Sequence, residues 1–235
     1  MRILVTGKSG QLGRSIHKLA NTRRISKIRP DFTFVGRDEL DLCNLDNIVS
    51  YFAKNDFDII INCAAYTSVD AAENQENIAN QVNNIAVKKL AEICYENKSH
   101  LIHISTDYVF DGASNQPYRE LDVTNPINIY GKTKLAGEKA VQDIMKNNAT
   151  IIRTSWVYSE FGSNFVKTML KLGKEREMLN VVSDQVGSPT YATDLAEVIL
   201  QIVDNNAHEK QELPTEIYHY SNQGTISWYD FAKEI

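Results

Sequence analysis

Apolar positions along the chain follow two alternating patterns. Compact runs such as Ile3-Leu4-Val5, Ile59-Ile60-Ile61 and Leu101-Ile102 are separated by longer stretches in which apolar residues recur every three or four positions. The compact runs read as strands buried on both faces, and the longer stretches as amphipathic helices. Strands are expected at Arg2–Thr6, Phe32–Val35, Phe57–Asn62, His100–Ser105 and Thr150–Thr154. Helices are expected near Gln11–Ala20, Leu45–Lys54, Ile78–Asn97 and Pro126–Lys146. Strand–helix alternation of this kind predicts an α/β, Rossmann-type doubly wound parallel sheet with helices on both faces.

Past Trp156 the rhythm loosens. A helix is expected over Asn164–Lys174, a strand over Leu179–Val182, a turn at Gly187-Ser188-Pro189 and a helix over Thr193–Val203. The polar stretch Asp204–Pro214 reads as a surface loop. Ser227–Ile235 reads as a helix that stops in mid-pattern, so a C-terminal portion is expected to be missing. The expected organisation is a dinucleotide-binding domain over residues 1–155, then a mixed segment over 156–235 that contributes a small C-terminal substrate-binding lobe.

Composition narrows the function classes. A 235-residue chain with 43% hydrophobic and 23% charged residues is ordinary for a globular protein. Its net charge of −5 argues against a nucleic-acid partner. The scattered Cys43, Cys63 and Cys94 form no CxxC pair, and the five histidines show no metal-ligand spacing. No signal-peptide pattern opens the chain and no stretch approaches a membrane span. A cytoplasmic protein with buried thiols, no metal and no membrane partner is expected.

The first strand runs into Gly7-Lys8-Ser9-Gly10-Gln11-Leu12-Gly13, and a helix follows. Glycines there let the backbone approach a diphosphate, whose charge the free N–H groups at the helix start attract. The spacing is GxxGxxG, yet it occupies the place of the dinucleotide fingerprint. Gly7-Lys8-Ser9 imitates the end of a Walker A loop, but Arg2 stands where that motif needs a glycine. The second strand ends at Val35-Gly36-Arg37-Asp38, which offers an acid for a ribose 2′-hydroxyl and an arginine for a 2′-phosphate. NADPH and NADH both stay open, with Arg37 leaning toward NADPH. Asp41-Leu42 and Ala64-Ala65 follow later elements, at positions where a nucleotide can lie along the sheet's carboxyl edge.

Tyr130 and Lys134 carry the candidate chemistry. Four residues apart on a helix, they lie roughly 40° apart around the axis and share a face. A phenol beside a fixed ammonium serves as an acid near neutral pH better than a free tyrosine with a pKa of about 10. Tyr229 and Lys233 repeat the spacing, so context must choose. Only the first pair follows a strand that ends in hydroxyls, Ser105-Thr106, while Trp228 and Phe231 beside the second suggest packing. The implied reaction is hydride transfer to a carbonyl. In it Tyr130 donates the proton, Lys134 lowers the phenol pKa and holds the cofactor ribose, and Thr106 with Ser105 orients the carbonyl oxygen. Asn83 is a candidate for a water-borne proton path or a plain helix-surface residue.

Several blocks are more distinctive: the glycine turn, NCAAYTSVD over 62–70, STDYVFDG over 105–112, PINIYGKTKLAGE over 126–138, RTSWVY over 153–158 and DQVGSPT over 184–190. With them the chain resembles the extended short-chain dehydrogenases/reductases and, within these, the dTDP-4-dehydrorhamnose reductase family. The resemblance implies NAD(P)H-dependent reduction of the 4-keto group of a dTDP-linked 4-keto-6-deoxysugar, for surface polysaccharide. It implies a catalytic Thr106–Tyr130–Lys134 set, and a cofactor lying along Gly10, Gln11, Leu12, Asp41, Leu42, Ala64, Ala65 and Tyr66, with Ser105 near it. Asp107 and Trp156 join Thr106 on the substrate side. Some relatives carry a glutamate after the glycine motif that serves a metal-bridged dimer. Here Arg14-Ser15 stands instead, so no metal is expected and the homodimer stays open. Another nucleotide-sugar reductase or epimerase, and a non-catalytic cofactor-binding regulatory subunit, remain as alternatives.

Overall fold

Alternating residues of each short strand face opposite sides of the sheet, and this assigns them to two separate cores. Residues 1–22, 30–208 and 213–235 are described by a computed structural model. Strands β1 (Arg2–Thr6), β2 (Asp31–Val35), β3 (Ile59–Asn62), β4 (His100–Thr106) and β5 (Ala149–Thr154) are those expected, within two residues at each end. With β9 (Glu216–His219) they form one parallel sheet in the order β2-β1-β3-β4-β5-β9. Leu4, Ile60, Leu101 and Ile151 face helices α2 (Leu45–Phe52), α5 (Ala86–Asn97) and α6 (Ile129–Ile144), meeting Ile48, Leu90 and Val141. Ile3, Val5, Ile61, Ile102 and Ile152 face α1 (Gln11–Thr22) and α8 (Ala192–His208), meeting Ile16, Leu195 and Ile199. Each such buried aliphatic side chain contributes about 1.5–3 kcal/mol of transfer free energy.

Strand order reverses between β1 and β3, which opens a crevice at their carboxyl ends. The short helix α3 (Val69–Ala72) borders it, and α4 (Glu76–Asn80) follows. The helix expected over Ile78–Asn97 passes through a π turn at Gln81–Ile85 before α5. Helix α6 starts at Ile129 rather than Pro126, because the Asn128 side chain caps it by accepting from Gly131 N at 2.7 Å.

The later segment departs further from expectation. It contains β6 (Val157–Tyr158), α7 (Phe165–Glu175), β7 (Val186–Gly187), β8 (Thr190–Tyr191), β10 (Ile226–Ser227) and α9 (Trp228–Lys233). No strand forms over 179–182: those residues find no sheet edge, and strand propensity alone does not build one. Gly187 begins no simple turn, since it pairs with Ile226 in the β7–β10 ribbon. The expected loop over Asp204–Pro214 is helical as far as His208, and its residues 209–212 lie outside the described residues. Strand β9 was not expected. Its residues alternate between exposed and half-buried at the sheet edge, so they lack the compact apolar signature of the inner strands. Among the described residues no helix is long and apolar enough to cross a membrane. The three cysteines are free thiols.

Candidate active site

A cleft of about 700 Å³ opens over the switch point. Its floor is backbone. Gly7 adopts φ 71°, and a Cβ there would lie 2.9 Å from Ala64 N. A Cβ on Gly13 would come within 2.3 Å of Gly7 O. Only glycine permits this approach of strand, turn and helix. Gly10 N donates to Gly7 O at 2.9 Å, and the first turn of α1 carries no acidic side chain. The result is a backbone cradle at a helix N-terminus that suits a diphosphate.

Gly7, Gly10, Gln11, Leu12, Gly13, Arg37, Asp41, Leu42, Ala64, Ala65, Ser105, Thr106, Asp107, Tyr130, Lys134 and Trp156 all line this cleft. Tyr66 is absent from its lining. Asn83 holds both backbone groups of Tyr66, accepting from Tyr66 N at 2.9 Å and donating to Tyr66 O at 3.0 Å. The Tyr66 hydroxyl donates to Gln75 at 3.1 Å, and its ring packs against the small cluster of Ala72, Ala79 and Tyr130. Asn83 is therefore no helix-surface residue: buried in the π turn, it also donates to Thr133 Oγ1 at 3.2 Å and ties the 66 loop to α6.

Two other side chains turn aside from the ligand space they line. The Gln11 amide donates to Val157 O at 3.1 Å and accepts from Ser159 Oγ and Asn164 Nδ2, both at 2.9 Å. Ser159 and Asn164 thus brace the glycine turn. Only tertiary contact reveals this, since they lie some 150 residues away. Ser105 donates to Glu138, a buried carboxylate paired with Arg153 at 2.7 Å. At the other end, Arg37 is exposed at the cleft mouth, while Asp38 does not line it. Glu39 is engaged by Lys8 and accepts from Gly36 N at 2.9 Å.

The reacting end is assembled by α6. A Cβ on Gly131 would lie 2.1 Å from Tyr108 O, so glycine lets the helix start press against the 3-10 turn Asp107–Val109. Thr106 Oγ1 accepts from Tyr108 N at 3.2 Å and donates to Asp107 Oδ1 at 3.1 Å. The Tyr108 and Tyr130 rings meet edge to face at 5.5 Å. Burial pushes the Tyr130 phenol up to about 12, with Asp107 and Tyr108 adding to the rise and the Thr106 hydroxyl opposing it. Burial also drives Lys134 down to about 8, against the pull of Glu138 and Cys63. Lys134 Nζ donates to Ile104 O at 2.7 Å. The expectation that Lys134 lowers the phenol pKa is corrected here: the phenol is raised, and burial rather than the lysine sets it. Asp107 is itself lifted to about 6 by burial, against its hydrogen bond from Thr106. Trp156 holds φ 47° and stacks on Trp228 at 3.5 Å, so one face of its indole is already covered. Tyr229 and Lys233 lie outside the cleft.

The RmlD substrate binding domain family model matches residues 1–235. The chain belongs to this family. A dTDP-4-dehydrorhamnose reductase of Aggregatibacter actinomycetemcomitans is 43% identical over 98% of this chain and 76% of its own length. The solved structure of a dTDP-4-dehydrorhamnose reductase from Clostridium acetobutylicum superposes with a TM-score of 0.90 at 40% identity, covering 100% of this chain and 79% of that one. The Bacillus anthracis enzyme, solved in complex with NADP, gives a TM-score of 0.88 at 39% identity over 99% of this chain and 78% of its own. As a member of this family the chain carries the Rossmann-type reductase fold of these relatives.

Proposed function

We propose that the chain reduces the 4-keto group of dTDP-4-dehydro-β-L-rhamnose to a hydroxyl, giving dTDP-L-rhamnose for polysaccharide synthesis. The observation that carries this reading is the convergence of Thr106, Tyr130 and Lys134 on one cleft with the glycine cradle, in a chain of this family. NADPH, when bound, supplies the hydride. Residues of the glycine turn hold its diphosphate, and Arg37 at the mouth takes the 2′-phosphate, since the nearby acid Glu39 is engaged by Lys8.

The chain's own residues handle the proton. Thr106 orients the carbonyl oxygen toward Tyr130, and a phenol raised to about 12 stays protonated until negative charge develops on that oxygen. Tyr130 then donates, so the carbonyl gains hydrogen at carbon and at oxygen. Lys134, titrating at about 8, replaces the lost proton and steadies the phenolate. Asp107 and Trp156 complete the sugar side. Residues 1–155 act as the cofactor domain and 156–235 contribute to the sugar lobe. Free thiols and NADPH use support a cytoplasmic setting, and Arg14-Ser15 after the glycine turn supports a homodimer without a bridging metal.

The test mixes purified protein with NADPH and dTDP-4-dehydro-β-L-rhamnose and follows cofactor absorbance and product identity. Stoichiometric NADPH loss with formation of dTDP-L-rhamnose supports the reading. Absence of turnover by folded protein that binds NADPH overturns it in favour of a regulatory role, and a different product stereochemistry overturns the named substrate.

A further inference from the structure

Behind Lys134 a row of buried polar groups crosses the sheet with a defined direction. Strand register places Thr6 beside Asn62 and Asn62 beside His103 on three adjacent strands, and all three side chains are buried. Ala64 N donates to Thr6 Oγ1 at 3.2 Å, and Thr6 Oγ1 donates to Asn62 Oδ1 at 2.7 Å. Asn62 Nδ2 meets His103 Nδ1 at 3.1 Å, and His103 Nε2 lies 3.5 Å from Lys134 Nζ.

The direction follows from the first member. A backbone amide can only donate, so Thr6 accepts there and must place its own hydrogen elsewhere. Asn62 Oδ1 takes that hydrogen. The Asn62 amide therefore presents its NH₂ to His103, and the imidazole accepts at Nδ1. Turning the Asn62 amide round would leave the buried Thr6 hydroxyl hydrogen without this acceptor, which a buried donor resists. Burial, with Lys134 nearby, keeps the imidazole neutral by driving its pKa well below the ordinary histidine value. A neutral imidazole that accepts at Nδ1 carries its proton at Nε2, the atom facing Lys134.

We propose that His103 is a positioning residue for the reduction: the Ala64–Thr6–Asn62 row locks its Nε2–H tautomer, which aims an N–H dipole at Lys134 Nζ and favours the neutral amine. This rests on the reading of Lys134 as the group that re-protonates Tyr130. The other groups that act on the lysine are Glu138 on its own helix, itself paired with Arg153 of β5, Cys63 past β3 and the Ile104 carbonyl on β4. Glu138 draws the lysine toward its charged form, but that carboxylate is already shared by Arg153 and Ser105. Burial supplies the main opposing push, and the His103 N–H dipole on β4 adds to it. It allows the lysine to lose and regain a proton within the working pH range.

Two-bond proton–nitrogen correlation NMR of histidine-labelled protein reads the tautomer without any turnover. Nε2 is expected to be protonated and Nδ1 bare from about pH 6 to about pH 9. The reverse tautomer, or a charged ring in that range, overturns the proposal. His103→Gln offers the lysine a carbonyl in place of the imidazole N–H. The Lys134 titration, followed through its Cε carbon signal, is expected to move up by about one pH unit, a tenfold change in the proton equilibrium. The matching limb of the kcat/KM profile moves with it while NADPH affinity stays unchanged. An unmoved Lys134 titration in folded His103→Gln overturns the proposal, and if that variant does not fold the wild-type tautomer decides. A wild-type protein without reductase activity refutes the proposed reaction, yet leaves both NMR readouts to judge the relay.

Discussion

Two tyrosine–lysine pairs sit at the same helical spacing in this molecule, and their surroundings have little in common. Tyr130 is 8% exposed and Lys134 1%, within a cleft whose walls come from β1, the turn after β3, β4 and α6. Tyr229 is 47% exposed, and Lys233 reaches back only to lie 5.7 Å over its partner's ring. Spacing puts two side chains on one helix face, but burial gives them altered acidity. At the first pair burial raises the phenol to about 12 and lowers the ammonium to about 8, bringing the two proton affinities into an order useful for relay. At the second pair the neighbours are aromatic: Trp228 stacks on Trp156, and Phe231 packs on Phe165 and Tyr158. That helix serves packing.

The contrast can be broken most forcefully at the lysines. Lys134→Met is expected to slow turnover by about 10²–10³-fold through loss of the relay. It is also expected to stabilise the fold at neutral pH by about 1–3 kcal/mol, because the native state there holds a buried ammonium at a cost. The wild-type lysine gives up its proton at about 8 when folded and at 10.5 when unfolded. Its penalty therefore fades as pH rises through that window, and the difference between the two proteins should fade with it. Thermal melts at several pH values check this, and Lys233→Met should change neither quantity.

Gly131→Ala should follow. A methyl group 2.1 Å from Tyr108 O forces α6 away from the 3-10 turn and carries Tyr130 off Thr106. A displacement of that kind costs about 10²-fold in rate and about 1–3 kcal/mol in stability, measurable by kinetics and urea denaturation. The smallest effect is expected at Asp107, whose carboxyl is raised from 3.8 to about 6 in the folded protein. A raised acid favours the fold most below its unfolded pKa and loses that contribution as pH rises through the folded value. Asp107→Asn should flatten stability between those two pH values, while turnover falls only several-fold because the amide keeps its place beside Thr106.

The sheet and the site were legible to different depths, for physical reasons. Inner strands announce themselves, because Ile59–Ile61 and Leu101–Ile102 must be apolar on both faces. Strand β9 is an edge with one half-buried face, and its pattern is too weak to read. Parallel pairing brings strand carboxyl ends into one row, so a turn, a hydroxyl pair and a helix start far apart in sequence predict one cleft. Side-chain direction was not legible. Gln11, Ser105 and Tyr66 are drawn to Ser159, Glu138 and Gln75, partners whose proximity only the folded chain creates. The Thr6–Asn62–His103 row was hidden for the same reason, being a property of register across three strands.

The most direct measurement is single-turnover NADPH oxidation with dTDP-4-dehydro-β-L-rhamnose, run side by side on Tyr130→Phe and Tyr229→Phe. Tyr130→Phe should bind NADPH normally and react about 10²–10⁴-fold more slowly, while Tyr229→Phe should match the wild type. A near-normal rate in Tyr130→Phe would contradict the assignment of the buried phenol as the proton donor.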